Sequence, residues 1–255
     1  MTNEARHTEI LYGIHPVAEA IFAGRRALEQ VYIASGKRSS RLASILSAAQ
    51  KKKIPVHELP AGKIRQMAGD AAHQGVAAQV GRYPYAPEPD SYAPRADSVS
   101  PPLWVLLDGV VDPRNLGAML RTALCAGVEG VVVPKDRAAP ATPAVSRASA
   151  GALEHVRLVR VTNLARTIEA MKKDGCWIAG LDAGAEQSLF AADLSGPLGL
   201  VVGGEGRGLR SLVKKCCDFL VRIPQRGPVG SLNASAAGAV AVYEAFRQRM
   251  KKESA

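Results

Sequence analysis

The amino-acid sequence predicts an α/β protein with a mostly parallel sheet, preceded by a small α/β domain. From about residue 103 onward, apolar runs alternate with helical patterns, which is typical of a buried parallel sheet. Before that region, a proline-rich segment interrupts the periodicity. The 255 residues are enough for two modest domains, each with its own core.

The first domain is predicted over residues 1–83. A helix is predicted in GIHPVAEAIFAG, which has Pro16 near its start and Gly24 at its end. The pattern of SSRLASILSAAQKKK predicts an amphipathic helix with a basic end. Strands are predicted in EQVYIA, IPVHEL and HQGVAAQV.

Residues 84–102 are predicted to be an extended linker. The stretch YPYAPEPDSYAPRADSVSPP, residues 83–102, contains six prolines and almost no apolar periodicity. We therefore place the boundary between the two domains here.

The second domain is predicted over residues 103–255. Helices are expected from about Asn115, around Ala144 to Leu153, from Asn163, up to Cys217, and at the end of the chain. In open parallel sheets, ligands bind beyond the carboxyl ends of the strands. The predicted strands are LWVLLD, GVVVP, VRLVRV, CWIAGL, LGLVVGG and FLVRIP.

The net charge of +10 favours a polyanionic partner. The first domain carries +6, the linker −2 and the second domain +6, so both domains are basic. A solvated basic surface without such a partner is the alternative.

Other classes of protein are disfavoured by composition. No apolar run approaches the roughly 20 residues that span a bilayer, and MTNEARHTEI lacks the apolar region of a secretory signal. The four cysteines and five histidines show no metal-ligand spacing. We therefore expect a cytoplasmic protein with no metal site and no membrane partner.

Polar residues cluster after the first strand of the second domain, in DGVVDPRNLGAMLRTALCAG. Asp112 and Pro113 predict a helix entry. Asn115 and Arg121 are expected roughly on one side of that helix, where both could face one pocket. Alternatively, Asn115 caps the helix and Arg121 pairs with a surface acid.

Two further strand ends carry candidate ligand-binding residues. In LGLVVGGEGRGL, a strand runs into Gly203, Gly204 and Glu205, where backbone groups would face a ligand. Its spacing matches neither a Rossmann nor a Walker motif. After RIPQRGPVG, Ser231 and Asn233 begin a helix rich in small residues, which allows close packing against another helix or subunit.

Together the three segments resemble the three motifs of the SPOUT class of S-adenosylmethionine-dependent RNA methyltransferases, in the TrmH-type branch that methylates ribose 2′-hydroxyls. The matching stretches are DPRNLGAMLRTA, GGEGRGL and SLNASAAGAVAVYEA. In the first domain, YGIHPVAEAI and HQGVAA resemble the RNA substrate-binding domain of members that modify guanosine in 23S rRNA. One minor departure is Gly204, where the family often has Ala or Ser.

The resemblance implies a carboxyl-terminal trefoil knot, a homodimer, and S-adenosylmethionine bound in the knot. It further implies that the backbone near three residues holds the methyl donor: Gly203, Ile223 and Leu232. Five residues match catalytic positions of the family: Asn115, Arg121, Glu205, Ser231 and Asn233.

The expected activity is methylation of a ribose 2′-hydroxyl in RNA, with a guanosine of 23S rRNA as the target. Arg121 would position an RNA phosphate and stabilise a developing alkoxide, held by Asn115 and Glu205. The alternatives are a transfer RNA or resistance-type rRNA 2′-O-methyltransferase, and a non-catalytic RNA-binding protein of the same fold. Intact Asn115 and Arg121 and the SLNAS stretch argue against the last.

Overall fold

The computed structural model describes residues 8–36, 39–69, 71–94, 100–227 and 230–253. The chain forms two compact units. The first comprises Met1–Pro84 and Pro140–His155, and the second comprises Tyr85–Ala139 and Val156–Ala255.

The first unit contains a four-stranded mixed sheet in the order β1-β4-β2-β3. β2 and β3 are parallel, and the other neighbours are antiparallel. Its core consists of apolar residues from the sheet, α1 and α2, with Leu11, Val31 and Ile45 fully buried. The elements are β1 (Thr8–Tyr12), α1 (Ile14–Ala23), β2 (Leu28–Ala34), α2 (Ser40–Lys51), β3 (Val56–Leu59), α3 (Ala61–Met67) and β4 (Val76–Gly81).

A segment from the middle of the chain, Pro140–His155, completes the first unit, which the sequence did not predict. It contains α5 (Pro143–Ala148) and a 3-10 turn (Ala152–Glu154). The buried guanidinium of Arg26 donates from Nε to Glu154 Oε2 at 2.9 Å. The Tyr83 hydroxyl donates to the Leu153 carbonyl, and burial raises the pKa of Tyr83 to about 12.

The described part of the predicted linker is packed against the second unit. Ala86 N–H donates to the Leu158 carbonyl at 2.9 Å. The Tyr92 ring is buried and meets the Trp104 ring edge-on, with centroids 5.0 Å apart. Residues 84–94 therefore include an ordered segment with specific contacts and are not simply an extended linker. Residues 95–99 of the predicted linker lie outside the described residues.

The second unit is built on a seven-stranded sheet in the order β7-β6-β5-β10-β8-β11-β9, and every strand pair is parallel. This confirms the predicted mostly parallel sheet. The strands are β5 (Leu103–Asp108), β6 (Gly130–Pro134), β7 (Leu158–Val161), β8 (Trp177–Leu181), β9 (Gln187–Ser188), β10 (Leu198–Gly203) and β11 (Phe219–Arg222). The helices are α4 (Pro113–Cys125), α6 (Leu164–Lys173), α7 (Ser211–Cys216) and α8 (Ala234–Glu253), with a second 3-10 turn at Leu189–Ala191.

Several element boundaries differ from the predicted ones. α4 begins at Pro113, before Asn115, because the Asp112 side chain caps it by accepting from Arg114 N–H at 2.8 Å. The helix predicted around Ala144 to Leu153 is divided into α5 and a 3-10 turn at Gly151, whose φ is 86°. β1, α3 and β9 were not predicted.

Within the described residues, no helix is long and apolar enough to cross a membrane. No group of three or more His, Cys, Asp or Glu side chains in these ranges could hold a metal ion.

Candidate active site

A cavity of about 320 Å³ opens at the carboxyl ends of β8, β10 and β11. This is the edge of a parallel sheet where ligands are expected. Its wall combines aliphatic side chains with backbone of the glycine-rich loop after β10 and with polar groups of Asp182, Glu205 and Ser231. Five of the eight predicted site residues line it: Gly203, Glu205, Ile223, Ser231 and Leu232.

The glycine-rich loop after β10 closes tightly on itself. Gly204 and Gly208 pair as an isolated antiparallel β-bridge, and Gly208 N–H donates to the Gly204 carbonyl at 3.1 Å. A side chain at Gly203 would collide with the backbone of Gly208, and one at Gly204 with the backbone of Gly109. In this chain, a side chain at either position would therefore require the facing backbone to move, a shift that the family makes where it has Ala or Ser at the position of Gly204.

Asp108, at the end of β5, holds both ends of this loop. Its backbone carbonyl accepts from Gly204 N–H at 2.8 Å. Its buried carboxylate accepts from the backbone N–H of Arg210 at 2.8 Å and forms an ion pair with the Arg210 guanidinium. Asp108 thus holds the loop at both ends, through its backbone carbonyl at Gly204 and its side chain at Arg210, and sequence reasoning did not single it out.

Asn115 and Asn233 are brought together behind the cavity. Asn115 is buried, and its Oδ1 accepts from Asn233 Nδ2 at 3.1 Å and from Ser235 Oγ at 3.1 Å. The Asn233 Oδ1 in turn accepts from the N–H groups of Ser235 and Ala236 at the start of α8. This network joins the first turns of α4 and α8, so the first and third motifs form one structural unit.

Arg121 lies apart from this network. Its side chain is exposed, and it is not among the residues that line the cavity. Six residues along an α-helix correspond to about 600°, so Arg121 is turned roughly 120° away from Asn115. The oxygen of Asn115 that was expected to hold Arg121 is taken by Asn233 and Ser235.

Glu205 has a different basic neighbour from the expected one. Its charge raises the pKa of Arg114, after the larger contribution from the hydrogen-bonded Asp112. The Arg114 and Asp112 side chains form an exposed ion pair at 3.0 Å. Arg114, which sequence reasoning passed over, therefore brings positive charge towards the glycine-rich loop.

The small residues of α8 pack within their own chain. A side chain at Gly238 would collide with the Met119 side chain of α4, and its next neighbour is Val202 of β10. Ala241 is fully buried. At Gly238, the close packing predicted from this face is therefore made with α4 and β10.

Among the residues that the sequence did not reveal, Asp182 also lines the cavity. It forms an ion pair with Lys214 at 2.7 Å, and the hydrogen bond from Lys214 lowers the pKa of its carboxyl. A sequence signal existed for Asp108, because an acid ending a wholly apolar strand needs a partner. No comparable signal marked Asp182 or Ser235.

Residues 102–243 match the SpoU rRNA methylase family, and residues 10–86 match the RNA 2′-O ribose methyltransferase substrate-binding family. The chain belongs to the SpoU rRNA methylase family. The expected class of S-adenosylmethionine-dependent RNA methyltransferase is thereby confirmed.

Some similar proteins match nearly the whole chain, and others match little more than half of it. The 23S rRNA (guanosine-2′-O-)-methyltransferase RlmB of Pseudomonas putida is 41% identical over 246 residues, which is 96% of this chain and 98% of that protein. The SpoU methyltransferase AviRb of Streptomyces viridochromogenes, solved with the cofactor AdoMet, has a TM-score of 0.78 and 25% identity, and covers 98% of this chain and 93% of AviRb. A structure concerning 2-OH methylation of C/U34 on tRNA has a TM-score of 0.53 and 31% identity, and covers 58% of this chain and 97% of that one.

The cavity is suited to S-adenosylmethionine, the methyl donor of the family. Its volume falls in the range of small-molecule sites. Leu181, Val221 and Ile223 offer an apolar surface to an adenine ring. The carboxylates of Asp182 and Glu205 offer hydrogen-bond acceptors for ribose hydroxyls and negative charge for the cationic sulfonium group. The trefoil knot implied by the family stays a prediction.

Proposed function

We propose that this protein transfers a methyl group from S-adenosylmethionine to the ribose 2′-hydroxyl of a guanosine in 23S rRNA. The observation that carries the proposal is the extent of the likeness to RlmB, which includes the front domain. The tRNA-related structure corresponds to little more than half of the chain. A ribosomal substrate is therefore favoured over transfer RNA.

On the donor side, we assign Gly203, Ile223 and Leu232 to the adenosyl part. S-adenosylmethionine supplies an electrophilic methyl carbon when bound. The closed loop of Gly204–Gly208 is held before a ligand arrives, so the wall needs little rearrangement on binding. Ser231 and Glu205 complete the pocket, while Asn115 and Asn233 fix the turn that carries Ser231 and Leu232.

On the RNA side, we assign Arg121 to the ribose. An arginine stays protonated in proteins, so it stabilises negative charge on the 2′-oxygen as the proton leaves and orients a phosphate by hydrogen bonding. Since Arg121 does not line the cavity of its own chain, we propose a homodimer in which it reaches the cavity of the partner subunit.

The front domain is assigned to RNA affinity. Arg41, Lys51 and Lys53 are exposed and available for phosphates. Two other cations of the basic first domain are committed within the fold: Arg26 is buried against Glu154, and Lys52 donates to the Ile21 carbonyl. Lys37 and Arg38 of the same domain lie outside the described residues.

The substrate is tested by incubating the purified protein with labelled S-adenosylmethionine and each RNA and measuring methyl transfer. We expect 2′-O-methyl-guanosine at one position of a 23S rRNA transcript and none in bulk transfer RNA. Methylation of transfer RNA alone would refute the ribosomal assignment, and binding of RNA without any transfer would favour the non-catalytic alternative. A cytoplasmic location is part of this proposal, because the ribosomal substrate is there.

Complementation between two inactive variants tests the shared site. An Arg121→Ala protein is mixed and reassembled with a protein whose donor pocket is filled by Leu232→Trp. If Arg121 acts across the dimer, about a quarter of the wild-type sites should be restored. No recovery in a mixture shown to contain heterodimers would place Arg121 in the site of its own chain.

A further inference from the structure

A second cleft, of about 410 Å³, lies beside the donor cavity in the second unit. It is found at the carboxyl ends of β6 and β7, the same edge of the sheet that carries the cavity. Its lining residues are Pro134, Asp136, Arg137, Thr162, Asn163, Leu164 and Arg210.

Hydrogen-bond donors dominate the cleft. Arg137 and Arg210 contribute guanidinium groups and Thr162 a hydroxyl. The Asn163 Oδ1 is engaged by the N–H groups of Ala165 and Arg166, so its amide NH₂ is the group left for a ligand.

The charges around the cleft favour an anion. Among the described residues, Asp136 is the one carboxylate in its lining, and Asp108 neutralises part of the Arg210 charge from a fully buried position. The exposed cations Lys135 and Arg166 flank the cleft in sequence. Together with Arg137 and Arg210, they leave an excess of positive charge.

Both walls of the cleft are fixed relative to the donor cavity. Arg210 is held by Asp108, which also binds Gly204 of the glycine-rich loop. On the other wall, Ala139 N–H donates to the Val110 carbonyl at 2.9 Å, just after Asp108 and Gly109. An anion bound in the cleft would therefore stand at a defined distance from the reacting methyl group.

We propose that this cleft binds a backbone phosphate of the RNA substrate and thereby positions the strand for methyl transfer. The inference rests on the proposed function, since it names a contact of the same substrate. Arg137 and Arg210 are the phosphate ligands, with Thr162 and Asn163 as neutral donors. None of these four residues lies within the three family motifs, although Arg210 directly follows the second.

Arg137 offers a clean variant. Its φ of 59° lies in the left-handed region, which a side chain makes unfavourable and glycine adopts freely. Arg137→Gly therefore removes the guanidinium without straining the fold, and we expect its stability to equal or exceed that of the wild type. Arg137→Lys keeps the positive charge at the same place.

The test measures the affinity of the full-length variants for a 23S rRNA transcript over a series of salt concentrations, without S-adenosylmethionine. Arg137→Gly should weaken binding roughly tenfold and lower the salt slope by about 1, while Arg137→Lys should retain most of the affinity. Lys173→Ala is the matched control, because it removes one exposed charge from the other end of α6, about 15 Å from the cleft. Its effect should be small.

Equal losses of RNA affinity in Arg137→Gly and Lys173→Ala, or no loss in either, would overturn the assignment of the cleft as a phosphate site. Polyuridine serves as a second RNA: a phosphate contact predicts the same loss on both RNAs, because phosphates carry no sequence information. A loss confined to 23S rRNA would mean a base contact and would overturn the phosphate assignment. A wild-type protein that transfers no methyl group would refute the proposed function instead, and this is measured separately.

Discussion

At the scale of single residues, the site is organised by side chains that do not line the donor cavity. Asp108 is buried at a strand end, where an unpaired carboxylate would be costly, and its carboxylate is paired with the backbone N–H and the guanidinium of Arg210, just after the glycine-rich loop. The buried acid thus anchors the end of that loop. The same reasoning applies to Asn115, whose oxygen ties α4 to the start of α8.

Asp108→Ala is expected to lower the affinity for S-adenosylmethionine roughly tenfold and the free energy of unfolding by about 1–3 kcal/mol, because Arg210 loses its anchor. Asp218→Ala is the matched control. Asp218 also accepts from a backbone N–H, that of Ile178, and pairs with a cation, Lys172, but it does not line the cavity. Calorimetric titration and urea unfolding should show similar stability losses with an affinity loss in Asp108→Ala alone. Equal affinities in the two variants would contradict the anchoring role.

Arg121→Ala should reduce methyl transfer by about 100-fold or more while leaving donor affinity unchanged. The reason is that Arg121 is exposed and does not line the donor cavity of its own chain. Single-turnover rates and calorimetric titration check the two halves of this prediction. Turnover within a few-fold of the wild type would remove Arg121 from the mechanism.

At the scale of elements, the strongly patterned segments were predictable, and β1, α3 and β9 were not. Continuous apolar strands such as β5 and β10 identified the parallel sheet. β9 has two residues and α3 has seven, too few for a periodic signal. The small-residue face of α8 was visible in the sequence, but composition does not tell whether α4 or another subunit covers it.

Gly238→Leu should destabilise the folded chain by about 1–3 kcal/mol, because the added side chain would enter the space of Met119. Ala236→Leu, at an exposed position of the same helix, is the control and should have little effect. Urea unfolding at several protein concentrations measures both. A Gly238→Leu protein as stable as the wild type but dissociated into monomers would instead place this face at a subunit boundary.

At the scale of the whole molecule, the order of segments along the chain differs from their grouping in space. The linker composition suggested an independent front domain, since proline-rich sequence is typical of a spacer. Pro140–His155 instead belongs with the front unit, although it is joined at both ends to the second. Sequence periodicity describes local structure and carries no signal for the grouping of distant segments into one unit. The pairing of Arg26 with Glu154, 128 residues apart, was therefore not predictable.

Because Pro140–His155 belongs to the first unit, we predict that the front domain contributes to the stability of the chain as well as to RNA affinity. In Arg26→Leu, Glu154 keeps Ser146 as a partner but loses the guanidinium in a buried site, and such a loss costs about 3–5 kcal/mol. Combining Arg26→Leu with Glu154→Leu removes both buried charges and should recover much of that loss. His155→Ala, which breaks only the half-exposed contact with Glu19, is the control and should cost far less. Urea unfolding followed by fluorescence measures each variant. If Arg26→Leu unfolds at the same urea concentration as the wild type, the ion pair does not join Pro140–His155 to the front unit, and deletion of residues 1–102 should then leave a stable methyltransferase domain.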